Sequence, residues 1–144
     1  MGDDLPDLAP YEELIERWLA RQLETNPLAL AVDRDPDLAR WYLRLRGEER
    51  DFTTIWITLG QRTLQYETYF MPAPEEAQEA VYEYLLRRNH KLFGMRFSIG
   101  PENAIFLVGH HTKNLSKVCC GCRLGRFGER IFRIGEVFRQ KPRR

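Results

Sequence analysis

At 144 residues, with 43% apolar and 30% charged side chains, the chain is sized for one domain with a modest core and has a soluble globular composition. No apolar run approaches the roughly 18 residues of a membrane span. The acidic start MGDDLPDLAP lacks the apolar stretch of a signal peptide, so a cytoplasmic protein with no membrane association is expected. The net charge of +1 hides a division: residues 1–109 carry 12 Lys/Arg against 19 Asp/Glu, while residues 110–144 carry 10 against 2 and hold all three cysteines.

The first element is a helix from about Tyr11 to Glu24. Leu14, Ile15, Trp18, Leu19 and Leu23 form its apolar stripe, Pro10 suits its first position, and Glu12 and Glu13 complement its dipole. Asn26-Pro27 ends it. A connector over 28–37 leads into three alternating strands. The first sets Trp41, Leu43 and Leu45 against Tyr42, Arg44 and Arg46, and the GEERD cluster (Gly47 to Asp51) reads as its solvated hairpin turn. The second sets Ile55, Ile57 and Leu59 against Thr54, Trp56 and Thr58. Gly60-Gln61 makes a tight reversal for which a positive φ at glycine is expected. The third sets Leu64, Tyr66, Thr68 and Phe70 against Gln65, Glu67 and Tyr69. This is an antiparallel meander with one apolar and one mixed face.

A second helix follows Pro74, with Glu75 and Glu76 in its first turn and Arg87, Arg88, His90 and Lys91 near its end before Gly94. Its buried stripe reads as Ala77, Ala80, Val81, Tyr84 and Leu85. Met95 to Ile99 and Ala104 to Val108 are strands joined by the turn Gly100-Pro101-Glu102-Asn103. In the last third, Leu124, Phe127, Ile131, Ile134 and Phe138 recur at helical spacing, diluted by Gly121, Gly125, Gly128 and Gly135. The expected architecture is α+β: a mostly antiparallel five-stranded sheet, helices on one face, and a single domain over 1–144.

The run WYLRLRGEERDFTTIWITLGQRTLQYETYFMPAPEE, followed by YEYLLRRNHKLFGMRFSIGPENAIFLVG, resembles the actinobacterial branch of the YbjN family of bacterial proteins, labelled sensory transduction regulators. The order α-β-β-β-α-β-β-α is that of type III secretion chaperones. The resemblance covers about residues 11 to 109 and implies a chaperone-like fold, often dimeric, with no established catalytic residues. After Gly109 the chain departs from the family, where HHTKNLSKVCCGCRLGRFGER replaces a Leu-Pro-Leu type segment and an acidic closing helix.

Enzymatic chemistry finds no support in the residues. There is no Walker or Gly-x-Gly-x-x-Gly loop, and no nucleophile, base and acidic orienter can be assembled. His90 reads as a surface partner of a helix end. Cys119 and Cys122 form a C-x-x-C pair with Cys120 between and His110-His111 upstream. Two Cys and two His could hold zinc, but no defined turn or helix presents the second pair, so free thiols and no metal or cofactor are expected. The basic tail from Lys113 to Arg144 could contact phosphates weakly and without sequence preference, which keeps a nucleic-acid-binding regulator as an alternative beside a zinc-stabilised module.

The mixed face of the meander holds the candidate site. Tyr42, Trp56 and Tyr69 alternate there with Arg44, Arg46 and Glu67, the aromatic and Arg side chains that enrich protein-binding surfaces. A non-catalytic, chaperone-like or regulatory protein is expected, binding another polypeptide and forming a homodimer. The mixed face could serve as its partner site or its dimer seam.

Overall fold

The computed structural model describes residues 8–47, 52–61, 63–92 and 94–112. The expected closing helix, the three cysteines, the basic tail and most of the GEERD turn lie outside them. The described elements are α1 (Ala9–Thr25), β1 (Ala29–Arg34), β2 (Arg40–Arg46), β3 (Phe52–Leu59), β4 (Thr63–Met71), α2 (Gln78–Asn89), β5 (Met95–Ile99), a single 3-10 turn (Pro101–Asn103) and β6 (Ile105–Thr112). The strands form one antiparallel sheet in the order β1-β2-β3-β4-β6-β5. This is the expected α+β architecture with one additional strand, because the connector after Pro27 pairs with β2 as an edge strand.

Alternation in β2, β3 and β4 does what the sequence predicts. Trp41, Leu43, Leu45, Ile55, Ile57, Leu59, Leu64, Tyr66, Thr68 and Phe70 are all buried, and the apolar ones share a single core cluster. Thr68 is the polar member of the row, and its hydroxyl donates to the Thr54 carbonyl at 2.8 Å, so its burial leaves no polar group unsatisfied. Both helices lay their apolar stripes on this face: α1 through Ile15 and Leu19, α2 through Leu85.

Three local expectations are revised. Leu23 is 42% exposed, because α1 meets the sheet through Leu8, Tyr11, Ile15, Trp18 and Leu19, a stripe one turn nearer its start. In α2 the core side runs through Val81, Tyr82 and Leu85, while Ala77, Ala80 and Tyr84 are exposed. Residues 81, 82 and 85 share one helical face, and position 84 falls about 100° away from 85. Gly60 carries no positive φ; its N–H donates to the Thr63 carbonyl at 2.9 Å to close the β3–β4 reversal. Among the described residues the positive φ values sit elsewhere, at Ala77 just before α2, at Gly94 after it, and at Glu102 and Asn103 in the turn before β6.

β6 lies between β4 and β5 and joins the edge strand β5 to the meander. It continues past Val108 through Gly109 to Thr112, where Thr112 pairs with Thr63. Gly109 lies against the Tyr66 ring, whose hydroxyl donates to the Gly94 carbonyl at 2.8 Å.

Candidate functional site

Strand alternation gathers the six candidate residues on one surface, the sheet face opposite the core. Register aligns Asp33, Tyr42, Trp56, Glu67, Val108 and Arg96 in one transverse row across all six strands. Arg44 and Arg46 extend the surface along β2, and Tyr69 along β4. Arg44, Arg46 and Tyr69 are exposed, whereas Tyr42, Trp56 and Glu67 are half-buried.

Two residues that sequence reasoning missed organise the centre. Phe106 belongs to the mixed face although it is buried, and Trp56 and Tyr69 pack on it. The Trp56 and Phe106 ring centroids lie 6.3 Å apart, and Tyr69 meets Phe106 edge-on at 5.8 Å. The other side of the Phe106 ring is set close over Gly100, where an added Cβ would lie 2.6 Å from the ring carbons. Phe52 is the second. It is 51% exposed, and the Arg44 guanidinium stands 4.8 Å from its ring centroid, a cation–π contact on the rim of the cluster. The period-2 pattern of β3, read back two residues from Thr54, could have found Phe52.

Tyr42 has a more local task than the sequence suggests. Its phenol donates to Asp35 Oδ2 at 2.7 Å, and Asp35 Oδ1 accepts the backbone N–H groups of Asp37 and Leu38 at 2.9 and 3.0 Å. This is an Asx-type turn that folds the β1–β2 connection. Beside it, Arg40 Nε donates to Thr58 Oγ1 at 2.9 Å. The Tyr42 hydrogen bond, then the two backbone donors, hold the Asp35 carboxyl below the ordinary carboxylate range. The same bond raises the Tyr42 phenol above its ordinary value.

Because the folded pKa of Asp35 is depressed, its contribution to stability is fully present above the unfolded pKa. It is lost as pH falls through the folded value. Asp35→Asn should therefore remove part of the acid limb of the stability–pH curve. The difference from the unchanged protein should be largest near neutrality and close toward strongly acidic pH. Urea midpoints measured across that range check this, and a constant difference at all pH values would count against the assignment.

On the opposite side of β1, Arg34 ties the edge strand to α1. Its guanidinium donates to Glu12 Oε2 at 3.1 Å and to Glu16, and stacks 5.3 Å from the Trp41 ring centroid. Along α2, Glu79, Tyr82, Glu83, Leu86 and Arg87 line a shallow depression of about 570 Å³. Among the described residues, no three His, Cys, Asp or Glu side chains converge to hold a metal ion. No described helix is long and apolar enough to cross a membrane.

The sequence profile of the YbjN family, described as "Putative bacterial sensory transduction regulator", matches residues 13–115. The chain belongs to the YbjN family. The match takes in every described strand and most of α1, and it continues past Gly109 and beyond the end of β6 at Thr112. The chain is also similar to an uncharacterized protein of Mycobacterium leprae, 35% identical over 75 residues that make up 51% of this chain and 41% of that one. Uncharacterized proteins of Mycobacterium tuberculosis and Mycobacterium bovis are 28% identical to it over 97 residues, 66% of this chain and 53% of theirs. The chain spans about half the length of the relatives it matches. The family points to a regulatory or chaperone-like role and gives the mixed face no assigned partner.

Proposed function

We propose that this YbjN member is a non-catalytic regulatory protein that binds another polypeptide on the mixed sheet face. The observation that carries the reading is the central aromatic cluster of Trp56, Tyr69 and Phe106. It is bordered by Arg44 on Phe52 and by Arg46, and it occupies the face opposite the helices. Buried aromatic anchors with arginines at their rim are the composition of binding hot spots, where a few side chains carry most of the affinity. The anchors are already packed on one another and on a rigid sheet, so little side-chain entropy is lost when a partner docks.

The variant that tests this changes exposed positions only, so that folding and binding can be read separately. Arg44→Ala with Tyr69→Ala should leave circular dichroism and the urea midpoint close to those of the unchanged chain. Capture of the partner from the native cell, quantified by mass spectrometry and followed by titration with the purified partner, should then weaken by at least about tenfold. Undiminished capture by the folded double variant would remove the mixed face from the binding surface.

A further inference from the structure

The sheet has two outer edges, and the chain closes the middle of one of them itself. On β5 the Gly100 N–H donates to the Ala104 carbonyl at 2.8 Å, so by alternation Ser98 and Arg96 bond toward β6 and Phe97 turns its backbone outward. Asn89, the last residue of α2, meets Phe97 there as a neighbouring strand would. Its Oδ1 accepts the Phe97 N–H at 2.7 Å and its Nδ2 donates to the Phe97 carbonyl at 3.4 Å.

β1 is left open. The Asp35 N–H donates to the Arg40 carbonyl at 2.9 Å, which makes Ala31 and Asp33 the residues that exchange bonds with Arg44 and Tyr42 on β2. Val32 and Arg34 therefore each direct an N–H and a carbonyl away from the sheet, and no described residue bonds to these four groups. The side chains of this edge differ by face. Val32 lies on the core side and packs there only in part, and Arg34 beside it is already held by Glu12 and Glu16. Asp33 stands exposed on the mixed face, and none of the described ion pairs includes it. Asp35 and Asp37 follow in the adjoining turn, while the neighbouring Arg40 donates to Thr58.

We infer that β1 receives a short extended segment of another polypeptide as an added antiparallel strand, one in which apolar residues alternate with Lys or Arg. A row of free N–H and carbonyl groups binds such a segment through its backbone, and alternate side chains then select its sequence. An incoming residue opposite Val32 falls on the core side, where an apolar side chain extends the rim of the core. The next residue falls opposite Asp33 on the mixed face, where a cation meets an unpaired carboxylate and an acidic side chain is repelled. The residue after that, opposite Arg34, returns to the core side, where Glu12 and Glu16 already satisfy the guanidinium and an apolar side chain covers its stem. The bulge between Ala29 and Ala31 ends the regular edge, so recognition is confined to the few residues around Asp33. This site is separate from the aromatic cluster and does not depend on what binds there.

The probe is a fluorescein-labelled peptide, Thr-Val-Lys-Val-Lys-Val-Thr, compared with its counterpart carrying Glu in place of Lys. Titrated with the full chain, the Lys peptide should bind at least about tenfold more tightly, and it should slow amide exchange at Val32 and Arg34. Asp33→Lys, at an exposed position, should invert the preference. Val32→Pro removes only an outward N–H, a change tolerated on sheet edges, and should abolish binding with unchanged circular dichroism. A Lys peptide that fails to bind at about 1 mM, or that binds the folded Val32→Pro chain undiminished, overturns the proposal. Equal binding of the two peptides overturns the assigned chemistry of the partner. If the proline variant does not fold, the exchange data decide, because peptide-induced protection that misses Val32 and Arg34 moves the site elsewhere. Protection of those amides without peptide, in a particle of twice the 17.1 kDa chain mass, would seat a second copy on the edge and overturn the proposal as well.

Discussion

Gly109→Ala should cost about 2–4 kcal/mol of folding stability, a large share of the 5–15 kcal/mol that holds a typical domain together. A Cβ at this position would lie 2.2 Å from Tyr66 Cζ and 2.4 Å from both Cε2 and the hydroxyl oxygen, far inside contact distance. The ring cannot swing aside cheaply. Tyr66 is 1% exposed in the middle of the core face, and its hydroxyl is tied to the Gly94 carbonyl. Displacing it strains packed neighbours and breaks that bond, and loss of a buried hydrogen bond adds about 1 kcal/mol. In urea the midpoint should fall while the slope stays constant, and the melting temperature should drop on the order of 10 °C. Tyr66→Leu in the same chain should recover part of the loss, so that the double variant is less destabilised than the sum of the singles. Additive effects would mean that the alanine methyl and the Tyr66 ring do not collide.

How far the sequence discloses such contacts depends on whether a residue's environment repeats along the chain. In β2, β3 and β4 it repeats every second residue, and the core row from Trp41 to Phe70 is legible because each strand has one wet or mixed face to contrast with its dry one. β6 lacks that contrast. Ile105 and Leu107 are buried against the helices while Phe106 is buried by Trp56, Tyr69 and the Gly100 backbone, so Ile105 to Val108 reads as one unbroken apolar run. The sequence therefore conceals the residue at the centre of the candidate site. β1 is hidden for a different reason. ALAVDR contains a bulge, its alternation breaks, and its pairing with β2 is a tertiary matter that no local pattern records.

The six candidate residues illustrate the same limit within one surface. Their common face follows from parity alone and is legible. Their individual duties are not, because Tyr42 is assigned to Asp35 by a hydrogen bond across a turn, and Trp56 to Phe106 by a contact across two strand spacings. Helix phase is similarly underdetermined where two tyrosines flank the boundary of a stripe. Tyr82 and Tyr84 are both plausible from spacing, and only the direction in which α2 meets β5 selects Tyr82.

Trp41 offers the sharpest separation between volume and polarity in this core. Trp41→Ala should cost about 3–5 kcal/mol, the range for removing a buried aromatic ring without collapse of the surroundings. The indole is 1% exposed at the junction of β1, β2 and β3, with Val32, Leu43 and Ile57 on the same sheet face and the Arg34 guanidinium over its ring. Its Nε1 is buried and meets no acceptor among the described residues. An indole N–H that gains no hydrogen bond in the folded chain has given up its water without compensation, so it adds nothing to stability. Trp41→Phe keeps most of the ring and discards that donor, and should cost less than about 1.5 kcal/mol. Urea unfolding of the two variants beside the unchanged chain decides the matter. A phenylalanine variant as unstable as the alanine one would show that the N–H is bonded in solution and that polarity, rather than volume, fixes Trp41 in place. An alanine variant within 1 kcal/mol of the unchanged chain would contradict the central position that the sheet register gives this residue.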